Sequence, residues 1–286
     1  MNLGVDLLPH FTADTTDRNR TSPFAFTGNK FEFRMVGSAF SISEPNIVLN
    51  TIVADTLSQF ADELEKAKDF NVALNKLVAR TIKNHKRIIF NGNNYSSEWK
   101  EEAKERGLLD LPSANVALCK FTDKKNVEVF ERQGVFSEIE IRSRMEIMLE
   151  NYCKTIHIEA ATMIDMVKKQ IYPAILTYVN KLLKNESLKA KIGIEIANES
   201  VVELIKRLSE INENLYKKCN ELESNLRKCA VNEESSAEEK IECSNFYHDV
   251  VLALMEEIRA LSDEAEEKTE KSMWPFPTYS DLLFSV

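Results

Sequence analysis

The sequence predicts a mainly helical protein with a small β contribution, an α+β chain, and three observations carry that expectation. Glycine occurs only seven times in 286 residues, well below the roughly 7% of average usage, so turns and phosphate-cradling loops are few. Apolar residues recur at three- and four-residue spacing over most of the chain, which is the period of a helix face. Strand-like alternation is confined to one short stretch, Lys30-Phe31-Glu32-Phe33-Arg34-Met35.

The elements follow in order. Residues 1 to 17 show no period and read as loop. The alternating stretch is one strand, and Lys30, Glu32 and Arg34 share a face because successive strand side chains point to opposite sides. From Asn46 to Lys68, Ile47, Val48, Ile52, Leu57, Phe60, Ala61 and Leu64 fall near helical spacing behind Pro45, a residue suited to the first turn of a helix. A second helix spans about Asn71 to Lys86. "FNGNNYSS" then breaks the pattern, and Ser96 or Ser97 caps a short helix that ends at Gly107.

Ser137-Glu138-Ile139-Glu140 has capping-box spacing, so a long amphipathic helix follows, kinked or divided at Pro173. Val201, Leu204, Leu208, Ile211, Leu215 and Leu222 lie on a seven-residue pattern with Lys218 in the seam. That pattern predicts an antiparallel helical hairpin or short coiled coil. "NEESSAEEK" is its tip, and the return helix runs from about Glu238 to Lys271. The chain closes with "MWPFPTYSDLLFSV", where Pro275 and Pro277 disfavour helix and Trp274, Phe276 and Tyr279 need a surface to pack on.

Composition excludes several functions. A net charge of −9 argues against a general nucleic-acid binder, whose phosphate contacts need clustered Lys and Arg. No run of about 18 apolar residues appears and the N-terminus lacks a basic leader, so neither membrane span nor signal peptide is expected. Five cysteines without a CxxC pair read as free thiols in a reducing compartment, which points to the cytoplasm. The four histidines form no HxxxH or HExxH spacing, so none is expected to ligate a metal. The charged face of the strand has two readings: a solvated side with compensating charges, or, with Arg18 and Arg20 just upstream, a grip on a metal-bound polyphosphate or acidic substrate.

The residues of Thr12 to Met35, "TADTTDRNRTSPFAFTGNKFEFRM", resemble type III glutamine synthetases, the long-chain class. The likeness continues through "PNIVLNTIVAD", "FERQGVFSEIEIRSRMEIMLENYCKTIHIEA" and the terminal "WPFPTYSDLLF". The family transfers the ATP γ-phosphoryl group to the glutamate side chain, and ammonia then attacks the acyl phosphate. The resemblance implies Glu32 as a ligand of Mg²⁺ or Mn²⁺, Arg34 on the substrate carboxylate, Arg20 on the nucleotide phosphates and Lys30 near the nucleotide. It also implies glutamate, ammonia and ATP as partners and a ring-based homo-oligomer.

Two departures accompany the resemblance. Where other classes carry a second arginine, this chain has "PFAF", and the family's Gly-rich "NGSGMH"-like segment, remaining carboxylate ligands and β-grasp domain have no counterpart. The expectation is therefore a C-terminal part of the enzyme, inactive as an isolated chain. Residues 1–121 would complete the catalytic domain, and 122–286 would form a helical region with its hairpin at about 186–271. The alternative is a non-catalytic helical interaction protein or a split-gene subunit.

Overall fold

The computed structural model describes residues 24–26, 31–33, 40–89, 96–193, 198–229, 235–277 and 279–284. Packing divides the chain into two compact units, Met1–Ser113 with Lys120–Ile141 and Ala114–Cys119 with Arg142–Val286.

The first unit holds the β structure. Strand β1 (Phe24–Phe26) pairs antiparallel with β2 (Phe31–Phe33), Ala25 opposite Glu32. The sequence predicts a strand at the alternating stretch and one or two strands in all, and two are present among the described residues. The partner of the alternating stretch is the three-residue "FAF".

Helix α1 (Ser43–Leu64) turns Ile47 and Val48 toward Val127, Phe130, Ile141, Phe121 and Phe136. The Phe130 ring meets Phe121 edge-on with centroids 5.5 Å apart, a favoured aromatic geometry. Ile52 and Leu57, expected on the apolar stripe of α1, are exposed. A polar group takes the buried place instead: Asp55 accepts from Arg132 Nε at 2.7 Å and Nη2 at 3.0 Å, clamping α1 to α5 (Lys124–Arg132).

Helix α2 (Phe70–His85) is capped by Asp69, whose carboxylate accepts from the Val72 amide, and it buries Leu77. Ser96 caps α3 (Ser97–Glu105) through the Trp99 amide. Gly107, at φ +70°, ends it in the left-handed region where only glycine is unstrained.

The second unit begins with α4 (Ala114–Cys119), whose buried Asn115 donates to Asn245. Helix α6 (Glu138–Met166) starts in the first unit and continues into the second. Its capping box is complete, the Ser137 amide reaching Glu140 and the Glu140 amide reaching Ser137 Oγ. A π-helical turn at Val167–Ile171 joins α6 to α7 (Tyr172–Lys191). There the Tyr172 amide donates to the Val167 carbonyl five residues back. Pro173 has no amide to give, and the wide turn just before it resets the hydrogen-bond register.

Helix α8 (Glu199–Leu226) pairs with α9 (Ala237–Phe246), a second π-helical turn (Tyr247–Val251) and α10 (Leu252–Lys268). Arg207 meets Glu264, Lys218 meets Glu257 and Cys229 meets Cys243. Partners that descend in number along one arm as they rise along the other make the hairpin antiparallel. Leu208, Ile211, Leu215, Cys219 and Leu222 are fully buried, as are Val251, Ile258 and Ala265 across from them.

The seam differs from expectation at one position, because Cys219 rather than Lys218 lies in it. A straight α-helix has 3.6 residues per turn against the heptad's 3.5, so three turns beyond Leu208 the centre of the stripe falls nearer position 219 than 218. Lys218 sits at the stripe's edge, paired with Glu257 at 2.7 Å and Glu221 at 3.2 Å.

After Thr269 a short 3₁₀ turn (Lys271–Met273) delivers Trp274 into the core of this unit, and Phe276 stacks edge-on against it at 6.4 Å. Helix α11 (Tyr279–Phe284) follows. Among the described residues no helix is long and apolar enough to cross a membrane.

Candidate functional site

Of the residues implicated in chemistry, Glu32 is the one that the structure describes. It occupies the middle of β2 opposite Ala25 and is half-buried. Its neighbours along the strand, Phe31 and Phe33, are 60% and 40% exposed. The carboxylate is thus more enclosed than the two aromatic rings beside it. Arg20, Lys30 and Arg34 lie outside the described residues, as does Arg18.

A divalent cation such as Mg²⁺ requires near-octahedral oxygen coordination at about 2.0–2.1 Å. Among the described residues no group of three or more His, Cys, Asp or Glu side chains is placed to hold a metal. Glu32 does not make such a site by itself.

The other ionisable groups are turned toward structure rather than toward chemistry. The Arg132 guanidinium, with the amides of Gln133 and Gln59, holds the Asp55 carboxyl down at about 2. Glu264 and Glu210 grip Arg207 from both sides. Burial pushes the Cys153 and Cys219 thiols up to about 11, so neither offers a thiolate at neutral pH. Arg106 lies over the Trp99 ring at 5.3 Å and donates to the carbonyls of Arg87 and Ile89, tying α3 to the end of α2.

Each unit also carries an open apolar groove. In the first unit one of about 440 Å³ runs between α1 and α2 over Leu57, Phe60, Leu77 and Ile82. In the second, one of about 620 Å³ between α6 and α10 is lined by Met163, Met166, Met255, Trp274 and Phe276.

Two features escape sequence reasoning. The five cysteines are not all reduced: Cys229 and Cys243 are joined by a disulfide, while Cys119, Cys153 and Cys219 are thiols outside any disulfide. Beside that pair, His157 Nδ1 lies 2.8 Å from the Tyr247 hydroxyl, which donates to the Cys229 carbonyl at 3.2 Å. The usable signal was the hairpin itself, since Cys229 and Cys243 flank its tip and must approach one another once the arms pair.

Residues 73–191 match the family model described as glutamine synthetase C-terminal domain. The chain is 38% identical over 288 residues to a type-3 glutamine synthetase of Dictyostelium discoideum, covering 99% of this chain and 39% of that protein. It is 32% identical over 293 residues to a glutamine synthetase of Bacteroides fragilis, covering 100% of this chain and 40% of the relative. A glutamine synthetase of Butyrivibrio fibrisolvens is 35% identical over 286 residues, 96% of this chain and 39% of its own length. The chain therefore spans about two fifths of the length of these relatives.

Proposed function

We propose that this chain, whose residues 73–191 match the glutamine synthetase C-terminal domain, is the C-terminal portion of an ATP-dependent glutamate–ammonia ligase. The observation that carries this reading is the β1–β2 hairpin. Among the described residues the sheet has two strands, with Phe31 and Phe33 exposed and Glu32 half-buried between them, whereas a stable sheet takes about three strands or a packed face. Such a hairpin suits the edge of a larger catalytic sheet supplied by the rest of a full-length enzyme. Similarity along the whole chain to two fifths of each relative supports the same division.

In that complete enzyme the work of this chain is to neutralise and orient. Arg34 grips the substrate carboxylate and Arg20 the phosphates of ATP, because guanidinium forks hold such oxygens in pairs. Lys30 adds charge beside the nucleotide, and Glu32 is one carboxylate of a Mg²⁺ or Mn²⁺ site whose other ligands come from elsewhere. A cytoplasmic, ring-based homo-oligomer belongs to the same reading. On this reading the isolated chain is inactive, because among the described residues no further carboxylates gather to complete that metal site.

The test has two arms. The purified 286-residue chain is assayed for γ-glutamyl transfer with Mg²⁺ or Mn²⁺, and no turnover is expected; robust turnover would overturn the reading. Fused to the missing upstream portion of a type III relative, the chain should support activity. There Glu32→Ala and Arg34→Ala should each lower kcat/KM by about 100-fold or more with unchanged melting temperature, the signature of a lost transition-state contact. Near-normal kcat/KM in either variant would return that residue to the role of a solvated strand charge.

A further inference from the structure

The tip of the hairpin brings together groups that the ligase chemistry does not use. Cys229 follows the end of α8, and Cys243 lies on α9 with its Cα 5.9 Å away, well inside the range a disulfide spans. Cys243, Tyr247 and Val251 succeed one another at four-residue spacing and are all buried, so the thiol and the phenol point from one helix face. Both hold the same residue. Cys243 grips Cys229 by its sulfur, and Tyr247 grips it by its carbonyl while His157 of α6 holds the tyrosine.

The pair is reachable from solvent. Cys229 is half-buried, and both cysteines line an open cavity of about 380 Å³ with Lys228, Ser235, Glu239 and Phe246. The free thiols of Cys153 and Cys219 are by contrast buried in the core.

We propose that Cys229 and Cys243 form a reversible thiol–disulfide site that latches the tip of the hairpin, with Tyr247 passing the state of the latch to α6. The oxidant is a low-molecular-weight disulfide. The more exposed Cys229 thiolate attacks one of its sulfurs, breaking the reagent's S–S bond and releasing one thiolate. Cys243 thiolate then attacks Sγ of Cys229 in the mixed disulfide and releases the second. Two electrons pass from the protein dithiol to the reagent, and the two protons lost by the cysteines go to the two departing thiolates. A small dithiol runs the sequence backward.

Closing a loop of about 15 residues removes chain entropy worth about 3 kcal/mol in the simplest account, equivalent to about 100-fold in an opening equilibrium. Local opening of the two arm ends that carry Cys229 and Cys243 is the motion this acts upon. The whole chain is equilibrated with oxidised glutathione or with dithiothreitol, its thiols are counted by alkylation and mass spectrometry, and its amide exchange is followed by peptide. Oxidised protein should protect Cys229 and Cys243 from alkylation. Reduction should expose both and speed exchange in residues 226–229 and 235–246 by roughly 10- to 100-fold, leaving α1 unchanged.

Cys229→Ser should exchange at the reduced rate in either reagent. Tyr247→Phe, held oxidised, should loosen the Cys229 segment and the neighbouring part of α6 without changing the thiol count. The proposal is overturned if both cysteines stay open to alkylation under oxidised glutathione, if exchange at the tip ignores the redox state, if Cys229→Ser still responds to it, or if α6 is indifferent to Tyr247→Phe.

Discussion

Replacing Leu215 with aspartate tests the hairpin where it is most committed. Leu215 is fully buried, between Ile211 and Cys219 on α8 and within the same core cluster as Val251, Leu254 and Ile258. Truncating a buried leucine costs about 2–5 kcal/mol through lost transfer energy and the cavity left behind. A carboxylate placed there without a partner adds desolvation, so a loss of at least about 3 kcal/mol is expected. For a unit of this size each kcal/mol moves the melting temperature by roughly 2–4 °C, which puts the fall at about 6–12 °C or more.

The comparison is Glu213→Lys, two residues away. Glu213 pairs with Lys217 at 2.9 Å, but both side chains are 66% exposed, and such pairs are worth about 0.3–0.5 kcal/mol. Reversing the charge should move the melt by no more than about 1–2 °C. Scanning calorimetry of the two variants beside the parent decides the matter. Equal shifts would mean that the seam faces solvent and that the pairing of α8 with α10 is wrong.

Two further outcomes follow from the same structure. Cys219→Asp should cost at least about 3 kcal/mol while Lys218→Ala, which gives up two partly exposed ion pairs, should cost at most about 1 kcal/mol; chemical melts showing the reverse order would restore the strict heptad. Asp55, held at about 2 by Arg132, binds fewer protons folded than unfolded, so its contribution to stability is complete above the unfolded value near 3.9 and disappears as pH falls toward 2. Calorimetry between pH 5 and pH 2 should show the first unit losing stability through that window, and Asp55→Asn should flatten that dependence; an unchanged pH profile would mean that the Asp55–Arg132 clamp is not formed.

Local signals in the chain were sufficient wherever a short-range rule decides conformation. Ser96 and Ser137 cap helices because a hydroxyl three residues before a free amide is already in reach, whatever the rest of the protein does. Gly107 ends α3 and Pro173 follows the break between α6 and α7 for equally local reasons. The apolar stripe of α8 was legible over two turns, since Leu208, Ile211 and Leu215 belong to it on either the heptad or the straight-helix count.

At the third turn the two counts diverge. The choice of Cys219 over Lys218 belongs to the packed hairpin, where a straight stripe meets the return arm. The same limit applies to α1. Its sequence presents Ile52 and Leu57 as core candidates, yet the partner helix α5 offers Arg132, and the buried position goes to Asp55 instead. The strand at Phe31–Phe33 was visible through its alternation, but its partner was not, because three residues of "FAF" are too short to show a period.

For the proposed site, the sequence by itself determined which residue types stand where: Arg20, Lys30, Glu32 and Arg34, in a segment that resembles the long-chain glutamine synthetases. Chemical type and spacing are one-dimensional properties, and a resemblance reads them directly. Tertiary structure alone decided that Glu32 is half-buried while Phe31 and Phe33 stand open, and that Cys229, Cys243, Tyr247 and His157 converge at one end of a hairpin. His157 and Tyr247 are ninety positions apart, and no local rule relates such residues. Their meeting is a consequence of two long helices burying their apolar faces together, an energy summed over the whole core rather than written at any one position.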